Sequence, residues 1–257
     1  MRPEQPIVLI TGASSGFGAA IARTLAAQGC ALALGARRTD RVEALAQELR
    51  KAHGVPVFAD FLNVRDSGSA IRFADAAAEA LGGMHVIVAN AGLASGLHKV
   101  WEIPDADMEA MLHTNVEGLV RTIRAGLPHV RKSGWGHVFA IGSTAGHVSY
   151  EGGGIYCASK HGEKALLQAL RLELCGEPIR VTSIDPGMAE TEFSLVRFND
   201  EQKASGVYQG MVPLQAADIA ECVRWALTLP DHVNIDELIV KPRDQASHTG
   251  ARVARRS

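Results

Sequence analysis

The stretch Ile7-Val8-Leu9-Ile10-Thr11-Gly12-Ala13-Ser14-Ser15-Gly16-Phe17-Gly18 decides the fold. Residues 7–11 form a short, nearly continuous apolar run, the pattern of a strand covered on both faces. Glycines follow at G-x-x-x-G-x-G spacing, and apolar residues then recur at helical spacing over 19–28. Glycine permits a tight turn and a close approach of backbone, and the helix N-terminus presents N–H groups to an anion. The spacing differs from the G-x-G-x-x-G fingerprint of dinucleotide folds, so its place after the first strand carries the reading. Gly12, Ser14, Ser15, Gly16, Phe17 and Gly18 are therefore candidate contacts of a nucleotide pyrophosphate.

The alternation continues outward from this unit. Apolar runs at 31–36, 55–61, 85–89, 137–142, 180–185 and 237–241 alternate with helical patterns at 41–52, 68–80, 105–132, 155–175 and 216–229. Repeated β-α-β units imply a parallel sheet with right-handed crossovers. The expected fold is α/β: a doubly wound, Rossmann-type domain with seven parallel strands and helices on both faces. Its ligand site should lie at the C-terminal ends of the strands.

The chain has 257 residues, a length that one α/β domain can fill. One domain over 1–245 is expected, with a small polar lid at about 190–210 and a flexible basic tail over 246–257 carrying Arg252, Arg255 and Arg256. A net charge of −2 and a pI near 6.6 give no broad reason to bind nucleic acid or an anionic membrane. Cys30, Cys157, Cys175 and Cys222 form no C-x-x-C pair and have no histidine at ligand spacing. They are expected as reduced thiols packed in the core, and no metal is expected. No apolar run is long enough to span a membrane, and no signal-peptide pattern opens the chain. The expected compartment is cytoplasmic.

The second strand ends in Gly35-Ala36-Arg37-Arg38. An acid near this point would hold a ribose 2′-hydroxyl, whereas a cation suits the 2′-phosphate of NADP. No acid is present, and a guanidinium can bond phosphate through paired N–H groups. The cofactor expected is NADP, with Ser14 adding a hydroxyl; the plain alternative is surface charge at a strand end. Asn63-Val64 after the third strand and Asn90-Ala91-Gly92 after the fourth fall where adenine and ribose should lie. Asn90 could equally be a turn residue.

The fifth strand ends at Gly142-Ser143, and the next helix carries Tyr156-Cys157-Ala158-Ser159-Lys160. Four-residue spacing puts Tyr156 and Lys160 on one helix face. A free tyrosine, with a pKa near 10, is a poor base at neutral pH. A nearby ammonium favours the phenolate, so Tyr156 could exchange a proton with an alcohol as hydride moves, while Ser143 bonds the same oxygen. Alone, Y-x-x-x-K is an ordinary surface pair; its company with the glycine turn makes it a signal.

Together these residues resemble the short-chain dehydrogenase/reductase family, in order and spacing, over nearly the whole chain. The match runs through the glycine turn, Asn90-Ala91-Gly92, Asn115, Ser143, Tyr156, Lys160 and Pro186-Gly187. The resemblance implies that Asn115 holds a water linking Lys160 to solvent. It also implies that Lys160 binds the nicotinamide ribose and that Pro186, Gly187 and Thr191 flank the carboxamide. Ala89 stands where the family usually has Asn, and Asn63 where it commonly has Asp. The resemblance also implies a homotetramer built through the helices at 105–132 and 155–175, although their apolar stripes would equally serve one chain's own core.

The segments 142–146, 191–198 and 233–242 resemble the family's NADP-dependent 3-hydroxy acid and serine dehydrogenases. The substrate implied is a small 3-hydroxy acid such as serine or 3-hydroxypropionate, with Arg197 a candidate for its carboxylate or else a structural ion pair. The alternatives are reduction of a larger aldehyde or ketone by NADPH in a biosynthetic pathway, and a cofactor-binding regulator without turnover. The intact Asn115, Ser143, Tyr156 and Lys160 speak against the last.

Overall fold

The structure is a computed structural model that describes residues 3–198, 200–248 and 253–254. Strand β1 (Ile7–Thr11) runs into α1 (Gly16–Ala26), then β2 (Ala31–Ala36), α2 (Thr39–His53), β3 (Val57–Phe61), α3 (Ser67–Leu81) and β4 (Val86–Ala89). The second half carries α4 (Asp105–Met111), a π-helical turn (Leu112–Glu117), α5 (Gly118–Ser133), β5 (Gly136–Ile141), α6 (Gly154–Glu173) and β6 (Ile179–Pro186). Then follow β7 (Ala189–Glu190), α7 (Glu192–Phe198), α8 (Glu201–Gly206), β8 (Leu214–Gln215), α9 (Ala216–Thr228) and β9 (Glu237–Val240).

Seven of these strands form one parallel sheet in the order β3-β2-β1-β4-β5-β6-β9, as expected. The chain winds from β1 to one edge and returns to β4, so the switch point lies between β1 and β4, where a crevice opens. The inner strands β1, β2, β4, β5 and β6 are buried at every position, while the edge strands β3 and β9 are partly exposed. That is why the runs at β1, β2 and β4 read as nearly continuous apolar sequence, whereas β6 also buries Arg180, Thr182, Ser183 and Asp185. One face of the sheet packs against α1, α2 and α9 through Ile21, Leu25, Leu49 and Ile219; the other packs against α3, α5 and α6 through Phe73, Leu119, Leu167 and Leu170.

Two expectations need correction, the unbroken long helix and the placement of Cys175. The helix expected over 105–132 is interrupted by the π turn, because Asn115 is held by backbone outside the helix: its Nδ2 donates to Leu93 O and its Oδ1 accepts from Leu93 N, both at 2.9 Å. The polar segment at 190–210 carries α7 and α8 and lies between the strands of a two-stranded parallel sheet, β7-β8. Cys175, expected in the core, is exposed just beyond α6.

The basic residues of the expected tail lie outside the described residues. The part that is described doubles back: Val253 bridges Gln245, and Ala254 N donates to Asp244 O at 2.8 Å. Among the described residues, no helix is long and apolar enough to cross a membrane.

Candidate active site

The turn after β1 is built by close backbone packing. Gly12 has φ +67°, and a Cβ on Gly18 would stand 2.5 Å from Gly12 O. Asn90 ties the end of β4 to this turn, donating from Nδ2 to Thr11 O at 2.8 Å and Gly12 O at 3.3 Å. Thr11 Oγ1 accepts from the backbone N–H groups of Asn90 and Ala91. Asn90 is thus a structural clamp of the turn as well as a wall of the cleft. Ser15 precedes α1 without a side-chain cap, which leaves the first N–H groups of that helix available to an anion.

A chamber of about 340 Å³ opens over this turn, and a second of about 440 Å³ lies over β5 and β6. Phe17, Asn90, Gly92, Thr191 and Phe193 line both, so they form one cleft at the C-terminal ends of the strands. The residues expected to hold cofactor line the first chamber from Gly12 to Gly92 and Thr191, and Tyr156, Lys160, Pro186 and Gly187 line the second. Gly18 and Asn115 are the exceptions. Gly18 serves turn packing, and Asn115 is buried behind the wall, with Nδ2 donating to Ser159 Oγ at 2.9 Å.

The first chamber fits NADP on its own chemistry. Its glycine turn packs too closely on Asn90 and on Gly12 O to admit a Cβ, and Thr114 Oγ1 on its wall is buried with no hydrogen-bond partner among the described residues. Arg37 and Arg38 both line it. Arg38 Nη2 donates to Ser14 Oγ at 3.0 Å and Ser15 Oγ at 2.7 Å, so its guanidinium is already aimed at the turn. Asn63 Oδ1 accepts from Arg65 N at 3.1 Å, which leaves its amide N–H groups for an adenine. Two further residues join this end. Glu192, the first residue of α7, bonds Arg38 at 3.1 Å and Arg41 at 2.9 Å. Against its partial burial, the bonds from Arg41, Arg38 and Ser15 hold the Glu192 carboxyl below the usual carboxylate range.

At the chemical end, Ser143 Oγ accepts from Ala145 N at 3.1 Å, and Ser143 lines the second chamber. Tyr156 and Lys160 sit a turn apart on α6, and the Lys160 ammonium is 6.0 Å from the Tyr156 ring centroid. Lys160 Nζ donates to Ile141 O at 3.0 Å and to Glu163 Oε2 at 2.9 Å. Burial works against its charge, but Glu163, Tyr156 and Asp185 outweigh that and raise its pKa above the ordinary lysine value.

Arg197 on α7 projects into the second chamber. Its guanidinium lies 5.5 Å from the Tyr150 ring centroid and 5.6 Å from that of Tyr156, and Nε donates to Gly96 O at 3.1 Å. Nη2 is buried and makes no hydrogen bond among the described residues. Burial pushes the neighbouring Tyr150 phenol up to about 12, so it is a neutral donor there. Beside this chamber His147, Asp185 and Glu237 bring one ligand atom each within 4.8 Å of one another. Lys164 already supplies a cation to them, 3.0 Å from Glu237 and 3.1 Å from His147 Nδ1.

Sequence reading missed Arg41, Glu192, Tyr150 and Glu163. Glu163 had a signal: it continues the Tyr156–Lys160 face at i+3 from the lysine. Arg41 follows Arg38 by three residues in the first turn of α2. Glu192 and Tyr150 had none, since their partners are remote in sequence.

Comparison with known proteins agrees with this geometry. The family model for short chain dehydrogenases matches residues 6–202. Sulfoacetaldehyde reductase 2 of Chromohalobacter salexigens is 43% identical over 242 residues, covering 93% of this chain and 95% of that protein. The NADP-dependent 3-hydroxy acid dehydrogenase of Schizosaccharomyces pombe is 40% identical over 246 residues, covering 95% of each. Among solved structures, the closed form of a serine dehydrogenase complexed with NADP+ superposes with a TM-score of 0.88 at 39% identity, over 93% of this chain and 96% of that one. With the glycine turn, the arginines of the first chamber and the Tyr156–Lys160 pair in place, the chain belongs to the short-chain dehydrogenase family and is an NADP-dependent oxidoreductase acting on CH–OH groups.

Proposed function

We propose that the substrate is a small 3-hydroxy acid or its sulfonate counterpart, interconverted with the carbonyl compound. The observation that carries this is the Arg197 guanidinium, which lines the chamber that also holds Tyr156 and whose buried Nη2 has no hydrogen-bond partner among the described residues. A desolvated guanidinium N–H without a partner is costly, and an anionic group supplies a charge-assisted acceptor. Relatives named for 3-hydroxy acids and for sulfoacetaldehyde fit one such chamber, because both substrate types place the reacting carbon two bonds from the anionic carbon or sulfur.

NADP supplies or accepts the hydride. Tyr156 Oη takes the alcohol proton during oxidation and returns it to the carbonyl oxygen during reduction. Ser143 donates a hydrogen bond to that oxygen, and the Lys160 ammonium stands 6.0 Å from the Tyr156 ring centroid. Asn115 braces the wall behind Lys160 through Leu93 and Ser159. The remaining expected contacts hold the cofactor: the glycine turn the pyrophosphate, Arg37 and Arg38 the 2′-phosphate, Asn63 and Val64 the adenine, and Pro186, Gly187 and Thr191 the nicotinamide. The segment 190–210 acts as the lid that carries Arg197. Val120 on α5 and Leu172 on α6 are exposed, and a homotetramer built through these helices would cover them.

The test is NADP reduction with serine, allo-threonine, 3-hydroxypropionate and isethionate, repeated with Arg197→Met. Turnover of these anions should fall about 10–100-fold in kcat/KM on substitution, while a neutral aldehyde of the same length loses little. Consumption of NADPH with bulky ketones, and none of the small anions turned over, would transfer the protein to the reductases of larger carbonyl compounds.

A further inference from the structure

Glu163 lies behind the catalytic lysine, outside both chambers of the cleft. It is 4% exposed, and it stands on the same face of α6 as Tyr156 and Lys160. Its carboxylate accepts from Lys160 Nζ at 2.9 Å. An ammonium has three N–H groups. Ile141 O and Glu163 take two of them, which turns the third toward the cleft. A buried carboxylate is expensive, and an apolar side chain would fill this helix position at lower cost.

The charged groups facing Glu163 are Lys160 from its own helix and Asp185 from β6. Asp185 is occupied elsewhere, by Ser183 Oγ at 2.5 Å and His147 Nε2 at 2.6 Å. Beside Glu163 lies a cavity of about 10 Å³ whose polar walls include Thr11, Asn115 and Thr122. A space of that size and polarity admits a single water. Burial, offset in part by Lys160, pushes the Glu163 carboxyl up to about 7.

We propose that Glu163 is the positioning residue and proton partner of Lys160. During alcohol oxidation Lys160 passes one N–H proton to the Glu163 carboxylate and is reprotonated from the Tyr156 side; during reduction the proton returns. Only a proton changes place, and the carboxylate becomes a neutral carboxyl that exchanges with the adjacent cavity. The inference rests on the assignment of Tyr156 and Lys160 to proton transfer. Oxidation then needs Glu163 ionised and rises as pH passes through about 7, whereas reduction needs it protonated and falls over the same range.

The first measurement uses the protein without cofactor: infrared spectra of chain carrying carboxyl-labelled glutamate, taken between about pH 6 and 8. A buried carboxyl band should fade with rising pH in the wild type and be missing in Glu163→Gln. The second is the pH profile of kcat for wild type, Glu163→Gln and Glu163→Asp, with NADPH affinity measured alongside. Glu163→Gln keeps the shape and can still accept from Lys160. It should lose about tenfold or more in kcat and the inflection near neutrality, with cofactor affinity unchanged; Glu163→Asp should restore the inflection. A folded Glu163→Gln with the wild-type profile overturns the proposal. Should that variant not fold, a wild-type protein without a titrating carboxyl band overturns it equally. If Tyr156→Phe keeps full turnover, the fault lies in the underlying assignment; if Tyr156→Phe is inactive while Glu163→Gln is normal, it lies in this inference alone.

Discussion

The two ends of the cleft are held by different means. At the nucleotide end, backbone grips backbone: the glycine turn, the end of β4 and the start of α1 are joined through Thr11 and Asn90. At the substrate end, a segment outside the main sheet is held largely by side chains, with Arg197 bonded to Gly96 O and Tyr208 bonded to Ser194 and Ala189 O. The cofactor is common to many reactions and suits a fixed frame. The substrate differs between relatives, and a segment held by side chains can change without disturbing the sheet. Tyr156 and Lys160 stand between the two ends, on a helix anchored in the core.

Three substitutions bear on this contrast. The largest effect belongs to Tyr156→Phe, which should lower kcat about 10²–10⁴-fold while NADPH affinity, measured by fluorescence, changes less than about twofold. A parallel loss of affinity would mean that the two ends are not separable. Next, Arg38→Ala should raise the NADP dissociation constant about 10–100-fold, leave NAD binding alone, and preserve kcat at saturating NADP. A fall in kcat at saturation would show that the nucleotide end also sets the reaction geometry.

The smallest effect tests the bond that crosses the boundary. Glu192 belongs to α7 yet holds Arg38 and Arg41, the cations beside the expected 2′-phosphate. These pairs are about two-fifths exposed, so screening keeps them weak. Glu192→Gln should tighten NADP by about two- to fivefold in titrations at low salt, and the gain should shrink as salt is added. Weaker binding instead would make Glu192 part of the cofactor site rather than a competitor for its arginines.

The sheet was legible because its inner strands are buried on both faces, which leaves nearly continuous apolar runs at β1, β2 and β4. The glycine turn and the Tyr156–Lys160 spacing were legible because their residues are close in sequence. The pair β7-β8 was not, since two-residue strands carry no periodicity. Arg197 could be named as a candidate, but its unbonded Nη2 depends on Tyr150, Tyr156 and Gly96, which meet it only in the fold. Asn115 could be named only from the family resemblance, because a polar residue in a helical pattern looks like many others.

The π turn around Asn115 also has a consequence for counting. A regular helix advances about 100° per residue, and a π turn takes up one residue more than the regular winding. The apolar stripe of α4 is therefore out of phase with that of α5 by roughly 100°. A continuous helical wheel drawn over the whole stretch would assign one of the two to the wrong side. The extra residue thus acts as a frame shift in three dimensions, letting one length of chain pack Met111 on the cluster around Tyr156 with its first half and Leu119 and Ala125 on the sheet with its second.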